Sequence, residues 1–497
     1  MMDFPVLYSK IILGRPFLIL VLLLGVLIFF SANVSHFRLD ASADSLLLEG
    51  DEDLRVFRQM SERYQTRSFI FVAFIPNQDL FAQSTLNVIS QIKNQITALD
   101  GVESVVTLLD VPLLKQHKGS LSEIAGSYRT LESPLADTDK ARDELIVSPI
   151  FSDLVISADG KTTALQINLA ENTQLIALQA EREQLLLRSQ QANFAVSKKE
   201  SLNRVEQAYI LAKDHADQHN HQLIGQLRGV MDQHRDHGQL VLGGVPMVVD
   251  DMITFIRNDL LVFGCGVFLF LVLILSLIFR QPRWVLLPLI SCAYAGLTMV
   301  GLLGFMDWPV TVISSNFVAL MLIITMSMTV HLIVRYRQLE RDESGWSQQE
   351  LVFKTTRKMF WPCLYTALTT IIAFGSLVFS DIKPVIDFGW MMSLGLGVTF
   401  LTCFLLFPAM LVLLGHASRT QIRTARPFHP TLGLARLTEH HGRWILGLAA
   451  ALVGLSFIGM MRFEVENSFV NYFGKDTEIY RGLRVTHEQL GGTPPLD

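Results

Sequence analysis

Seven stretches of the chain are apolar for long enough to cross a hydrocarbon layer as a helix: 16–35, 260–279, 284–305, 309–334, 362–380, 388–414 and 444–461. A helix rises about 1.5 Å per residue, so about 20 apolar residues are needed. The first stretch resembles a secretory leader in position. Its apolar core from Phe17 to Phe30 is long, however, and no small-x-small cleavage pattern follows, which predicts an anchor.

Between the first two runs the pattern changes. Ser68 to Ile75 reads as a buried strand ended by Pro76-Asn77, and residues 82–98 have helical spacing. Val102 to Leu109 follows the Asp100-Gly101 turn as a second strand, and Thr162 to Leu169 alternates as a third. Leu202, Val205, Tyr209, Ala212 and Ala216 mark one seam of a long helix, and Gln239 to Leu242 forms a last strand before Gly243-Gly244-Val245-Pro246. The order β-α-β, insertion, β-α-β is that of a split ferredoxin-like unit. The predicted fold is a multispanning α-helical membrane protein with an α+β, ferredoxin-like extracytoplasmic domain and a long helical insertion.

Charge sets the expected orientation. Lys10 and Arg15 precede the first span, Arg280 and Arg283 separate the second from the third, and Arg335, Arg337, Arg341, Lys354, Arg357 and Lys358 separate the fourth from the fifth. Arg419, Arg423, Arg426, Arg436 and Arg443 precede the seventh, whereas the alternate short loops hold only Asp307, Asp381, Lys383 and Asp387. The positive-inside rule therefore puts the N-terminus in the cytoplasm and residues 36–259 outside it. The stretch 336–360 reads as a charged connector at Glu340, Arg341, Asp342 and Glu343. From Leu351 to Lys358 an amphipathic interfacial helix is the alternative.

The chain also begins to repeat itself. Gly14-Arg15 opens an apolar run ending at Phe37, then Arg38-Leu39-Asp40-Ala41-Ser42; Gly442-Arg443 opens another ending at Phe463, then Glu464-Val465-Glu466-Asn467-Ser468. The offset is 428 residues at the start and 426 at the end. Such duplication marks secondary transporters and suggests one complete half plus the start of a second.

Composition excludes several classes. A net charge of −5 supplies no basic stripe for nucleic acid. Cys265, Cys292, Cys363 and Cys403 all lie in apolar runs and read as small core residues. Gly160-Lys161-Thr162 lacks the glycine that a phosphate loop needs five positions earlier, where Val155 stands, so it reads as a turn. His215, His219 and His221, beside Asp214, have helix-compatible metal spacing, but no further ligand is fixed and His219 falls on the apolar seam. A solvated helix face is favoured over a metal site. No cofactor motif and no nucleophile-base-acid set stands out, which argues against an enzyme.

Several local motifs carry a resemblance. Leu99-Asp100-Gly101-Val102-Glu103-Ser104-Val105 with Leu109-Asp110-Val111-Pro112, Ser148-Pro149 with Ile156-Ser157-Ala158-Asp159-Gly160-Lys161-Thr162, Gly244-Val245-Pro246, His331-Leu332-Ile333-Val334-Arg335-Tyr336-Arg337 and Gly491-Gly492-Thr493-Pro494-Pro495-Leu496 occur in that order. Together with one span, a large domain, five spans and a restart, they resemble the RND superfamily in its MMPL-like, sterol-sensing-domain (SSD) branch. The resemblance implies a first transmembrane helix at 16–35, a porter-like α+β domain at 36–259, a five-helix SSD/MMPL-like bundle at 260–415 and a cytoplasmic linker at 416–443. It further implies a seventh helix at 444–461 and an incomplete second outer domain at 462–497. The implied function is proton-motive-force-driven export of lipids or other hydrophobic molecules across the inner (plasma) membrane. The implied partners are the lipid bilayer, a hydrophobic substrate, and a missing second half or a homo-oligomer. A lipid- or sterol-binding sensor and an envelope-biogenesis factor without transport are the alternatives.

One departure bears on mechanism. The branch's usual pattern has an Asp three or four residues before the His-Leu pair of the fourth span; here those positions are Met328 and Ser327, and Pro309 to Val334 contains no acid. Asn316, Ser327 and His331 remain. At 100° per residue Ser327 lies about 20° and His331 about 60° from Asn316, so all three share a helix face. An imidazole is the side chain that changes charge near neutral pH, which makes this face a candidate relay against the second half's equivalent helix. The competing reading is a His331 that bonds a carbonyl or headgroup at the interface.

Overall fold

The computed structural model describes residues 13–41, 68–113, 129–133, 137–189, 196–342, 345–380, 382–415, 430–463 and 473–491, with isolated positions 56 and 60. The second exit segment Glu464–Ser468, most of Gly491–Leu496, part of the 416–443 linker and Glu343 lie outside these residues. The chain divides into two compact units, Met1–Leu413 with Gly474–Asp497, and Leu414–Phe473.

In the first unit, helix α1 (Pro16–Ser31) precedes an α+β domain of β1 (Phe69–Pro76), α2 (Gln83–Thr97), β2 (Val102–Val106), α3 (Thr138–Ile146), β3 (Thr163–Leu169), α4 (Thr173–Ser189), α5 (Val196–Gln233) and β4 (Gly238–Gly243). The four strands form one antiparallel sheet in the order β2-β3-β1-β4. Pairing of Val72 with Leu165 and Leu242 puts one set of apolar side chains on a common face, where Ile70, Val72, Phe74, Leu165, Ile167 and Leu242 are at most 1 % exposed. On α2, Ile89, Ile92 and Ile96 recur at helical spacing and are fully buried. The opposite face is lined by Ala73 and Ala164, small enough to admit α12 (Glu478–Gln489, introduced below). Leu490, at its end, closes a cluster with them. The second strand stops at Val106, three residues short of expectation, because Thr107 and Asp110 close a side-chain-bonded turn there.

Membrane-length helices follow. Helix α6 (Val245–Phe279) runs unbroken through the expected boundary at 259–260. It starts earlier than the apolar run because Gly244, at φ +121°, turns the chain and Pro246 suits a first helical turn. At about 1.5 Å per residue it is longer than a hydrocarbon layer needs, so its first turns project beyond the apolar segment. Then come α7 (Pro282–Phe305), α8 (Phe317–Asp342), α9 (Gln348–Gly375) and α10 (Lys383–Leu413). Ser347 and Glu350 form a capping box that starts α9 well before the apolar run, so residues 348–360 continue into the fifth span as one helix. Prolines 288, 362 and 408 lie inside α7, α9 and α10.

The second unit contains α11 (Pro430–Met460), with non-helical angles at His441, just before Gly442-Arg443. The first copy of the repeat breaks in a similar place, at Arg15 ahead of Pro16. Helix α12 returns to the first unit. Among the described residues seven helices are long and apolar enough to cross a membrane, which makes the chain a multipass membrane protein of mainly helical fold.

Small residues and hydroxyls join the bundle, as expected where lipid removes the hydrophobic drive between helices. A Cβ on Gly301 would lie 2.1 Å from the Phe30 carbonyl oxygen, and one on Gly304 equally close to that of Asn33. The Tyr294 hydroxyl donates to the Leu23 carbonyl at 3.1 Å, and the Thr325 and Thr399 hydroxyls bond at 3.0 Å between α8 and α10. Cys292, Cys363 and Cys403 are buried as expected; Cys265 instead lies exposed on α6.

Gly301→Ala should therefore force α1 and α7 apart and destabilise the bundle by about 1–3 kcal/mol. Thermal melting of the full chain in detergent measures it, with Gly397→Ala as control, since no atom lies within 4 Å of the Cβ position there. Equal melting of both variants would rule out the close contact.

Candidate functional site

A short turn at Ser314–Asn316, held by the Ser314 hydroxyl accepting from the Thr311 amide at 2.7 Å, leads into α8. Along α8 the packed side carries Met321, Thr325, Met328, Thr329 and Leu332. Asn316, Ser327 and His331 are all exposed, together with Ile323 and Val334. The three predicted residues thus occupy one stripe, on the side of the helix that faces away from the bundle. Met328, where the resemblance leads one to expect an acid, is 3 % exposed and packed in the main apolar cluster. Asn316 also lines a crevice with Ser315 and, from α6, Asp259.

The three histidines of α5 do not converge. His219 lies 3.5 Å from Asp100 and sits on the Asp100-Gly101 turn, where a Cβ on Gly101 would strike its ring. His221 faces Asp250 at 2.8 Å. Among the described residues no group of three or more metal-ligating side chains forms.

These contacts lead to an ionic junction that the sequence did not disclose as a unit. Past α1, the chain pairs with the loop before α8: the Asp40 amide donates to the Val310 carbonyl at 3.0 Å and the Val310 amide to that of Arg38 at 2.9 Å. Arg38 then reaches Asp307 at 3.2 Å and Asp214 at 3.9 Å, and Lys213 reaches Asp40 at 3.0 Å. Further along α5, Arg228 forms two 2.8 Å bonds to Asp251 at the head of α6 and one of 2.9 Å to Glu478 of α12. Exposed pairs elsewhere, such as Arg235 with Asp232, contribute about 0–1 kcal/mol. Unlike the exposed Asp214 and Asp307 that face Arg38, Asp250 and Asp251 are only 8 % exposed. Removing a partner there strands a poorly hydrated charge, at about 3–5 kcal/mol.

Asp217 sits among these groups, four residues from both Lys213 and His221, hence on their face of α5. Burial pushes its carboxyl up to about 6; Lys213 works against the shift, and Asp40, Asp214 and Asp250 add to it. The readable signal was the i, i+4 polar series Lys213, Asp217, His221, which the apolar seam of the same helix masked.

The sign of the linkage follows. A carboxyl that holds its proton up to about 6 when folded, against 3.8 ordinarily, is bound more tightly by the folded chain. Its contribution to stability is largest at low pH, declines as pH rises from 3.8 to about 6, and is level above. Asp217→Asn should flatten that slope in a series of thermal melts; an unaltered slope would assign the titration elsewhere.

No curated protein matches the sequence. The model of the MMPL family matches residues 203–444, which take in most of α5 with its ionic face, helices α6 to α10 and the start of the seventh apolar run. Residues 203–444 thus match the MMPL family, consistent with an RND/MMPL-type transporter; the match bears out the resemblance at that level and does not specify the sterol-sensing-domain branch.

Proposed function

We propose that the chain is an RND/MMPL-type exporter of lipids or other hydrophobic molecules, driven by proton entry. Residues 36–259 serve outside the cytoplasm as its ferredoxin-like, porter-type domain, and the membrane is the inner (plasma) membrane. The observation that carries this reading is the extent of the family match. It covers the bundle and the ionic face of α5 together, so the part that would move cargo and the part that would move in the membrane belong to one unit.

Three further observations support it. The sheet order β2-β3-β1-β4, with a helix inside each β-α-β half, agrees with a ferredoxin-like topology. Lys/Arg bias favours the orientation. The stripe of Asn316, Ser327 and His331 is exposed and so is free to meet a further helix, with a histidine at its end. The apolar Met328 favours one competing reading, a lipid sensor that performs no transport.

Reconstitution of the full chain in vesicles separates the two. Efflux of a fluorescent lipid analogue should depend on an imposed proton gradient, and His331→Ala should abolish it while membrane content stays unchanged. Gradient-independent behaviour, or full export by His331→Ala, would remove the relay.

A further inference from the structure

The end of the bundle away from the α+β domain holds two arginines that have no acceptor among the described residues. Helix α6 ends at Phe279, Arg280 caps it in the left-handed conformation at φ +54°, and α7 begins two residues later at Pro282. This tight turn puts Arg283 in the first turn of α7, beside the C-terminal part of α8. Trp284, 2 % exposed, packs on Tyr336 with ring centroids 5.5 Å apart. The Arg283 guanidinium lies over the Trp284 ring at 5.0 Å, and that of Arg337 over the Phe279 ring at 5.6 Å.

Stacking occupies the flat faces of both guanidiniums and leaves their N–H edges. Each offers five donors. Among the described residues neither gives one to an acceptor, and Nε and one terminal nitrogen of Arg283 are buried without any partner. Glu340 is near enough to influence both electrostatically, yet it pairs with neither. Arg283 and Arg337 are half-buried, and a buried guanidinium N–H without an acceptor is costly, so this corner has room for a further acceptor. The N-terminus of α7 adds to the demand. Pro282 has no N–H, Gln281 provides no side-chain cap, and the helix presents its positive end here.

We propose that this corner binds the phosphate of an anionic lipid headgroup, with Arg283 and Arg337 as its donors. Chemistry alone would also accept free phosphate. The surroundings favour a lipid. Ile278, Leu286 and Val334, each within a turn or so of the two arginines, are more than half exposed, which gives an acyl chain an apolar wall directly beside the phosphate. The site is at the opposite end of the helices from the ionic junction and does not depend on the transport reading.

The test uses the full chain in detergent, with lipid retention followed by native mass spectrometry and by thermal shift. Phosphatidylglycerol should bind and stabilise, and phosphatidylcholine should not. The double substitution Arg283→Gln, Arg337→Gln should weaken phosphatidylglycerol binding on the order of tenfold or more. Arg335→Gln serves as control, because Arg335 already donates to Gln338 at 2.6 Å, and should leave binding intact. Undiminished binding by the double variant, or equal binding of phosphatidylcholine, overturns the site. Displacement of the lipid by millimolar inorganic phosphate overturns its assignment to a headgroup. Should Arg283→Gln fail to fold, Arg337→Gln alone decides, and unchanged affinity there also overturns the proposal.

Discussion

The close approach of the first span to the third sets the terms for the ionic junction. Gly301 and Gly304 let the backbone of α7 come against carbonyls at Phe30 and Asn33. That contact aligns the exit from α1 with the loop before α8, and the two segments then exchange backbone hydrogen bonds at Arg38, Asp40 and Val310. Arg38 and Asp40 are therefore held by main chain. Two charged side chains on a free linker would lose most of their pairing to entropy and water. Fixed on a bridged segment, they give Asp307, Lys213 and Asp214 definite partners.

From there the constraint spreads through α5. One face of this helix packs toward the sheet through Leu223, Ile224, Leu227 and Met231, all at most 2 % exposed. Its polar side meets three elements in turn: the exit of the first span at Lys213, the head of the second at His221 and Arg228, and α12 at Arg228. Helix α6 extends through the apolar boundary as one continuous helix, so the ionic contacts of α5 at its head bear on the same element that forms a membrane-length span. A carboxyl at Asp217, raised toward neutrality by burial among these charges, is a group whose proton changes the balance of that contact.

Much of this architecture was legible in the chain. All seven apolar runs became helices of spanning length, because in lipid a backbone must bond within itself and length is the main requirement. The four strands lay where alternation and turn residues put them. What sequence could not read were features set by neighbours distant in the chain. The early start of α9 depends on a reciprocal Ser347–Glu350 cap, and the seat of α12 on two small residues, Ala73 and Ala164, in different strands. The face shared by Asn316, Ser327 and His331 followed from helical geometry, but its exposure did not. The pairs Arg228–Asp251 and Lys213–Asp40 join residues 23 and 173 positions apart, beyond the reach of any local pattern.

The two ends of the bundle resolve charge in opposite ways. Toward the α+β domain the buried Asp251 bonds Arg228 and the buried Asp250 bonds His221, each from another helix, so polar groups hold the domain to the membrane helices. At the other end Arg283 and Arg337 lie over aromatic rings and, among the described residues, pair with no carboxylate. An arginine on a ring keeps its charge and its donors while being fixed in place, since the interaction with the π face, about 0.5–2 kcal/mol, uses no N–H. A cation fixed but unpaired attracts anions from outside the chain; a cation already paired does not. Asp250 and Asp251 lie where two elements must be joined, and Arg283 and Arg337 lie where, on the reading proposed above, a bilayer supplies the phosphate.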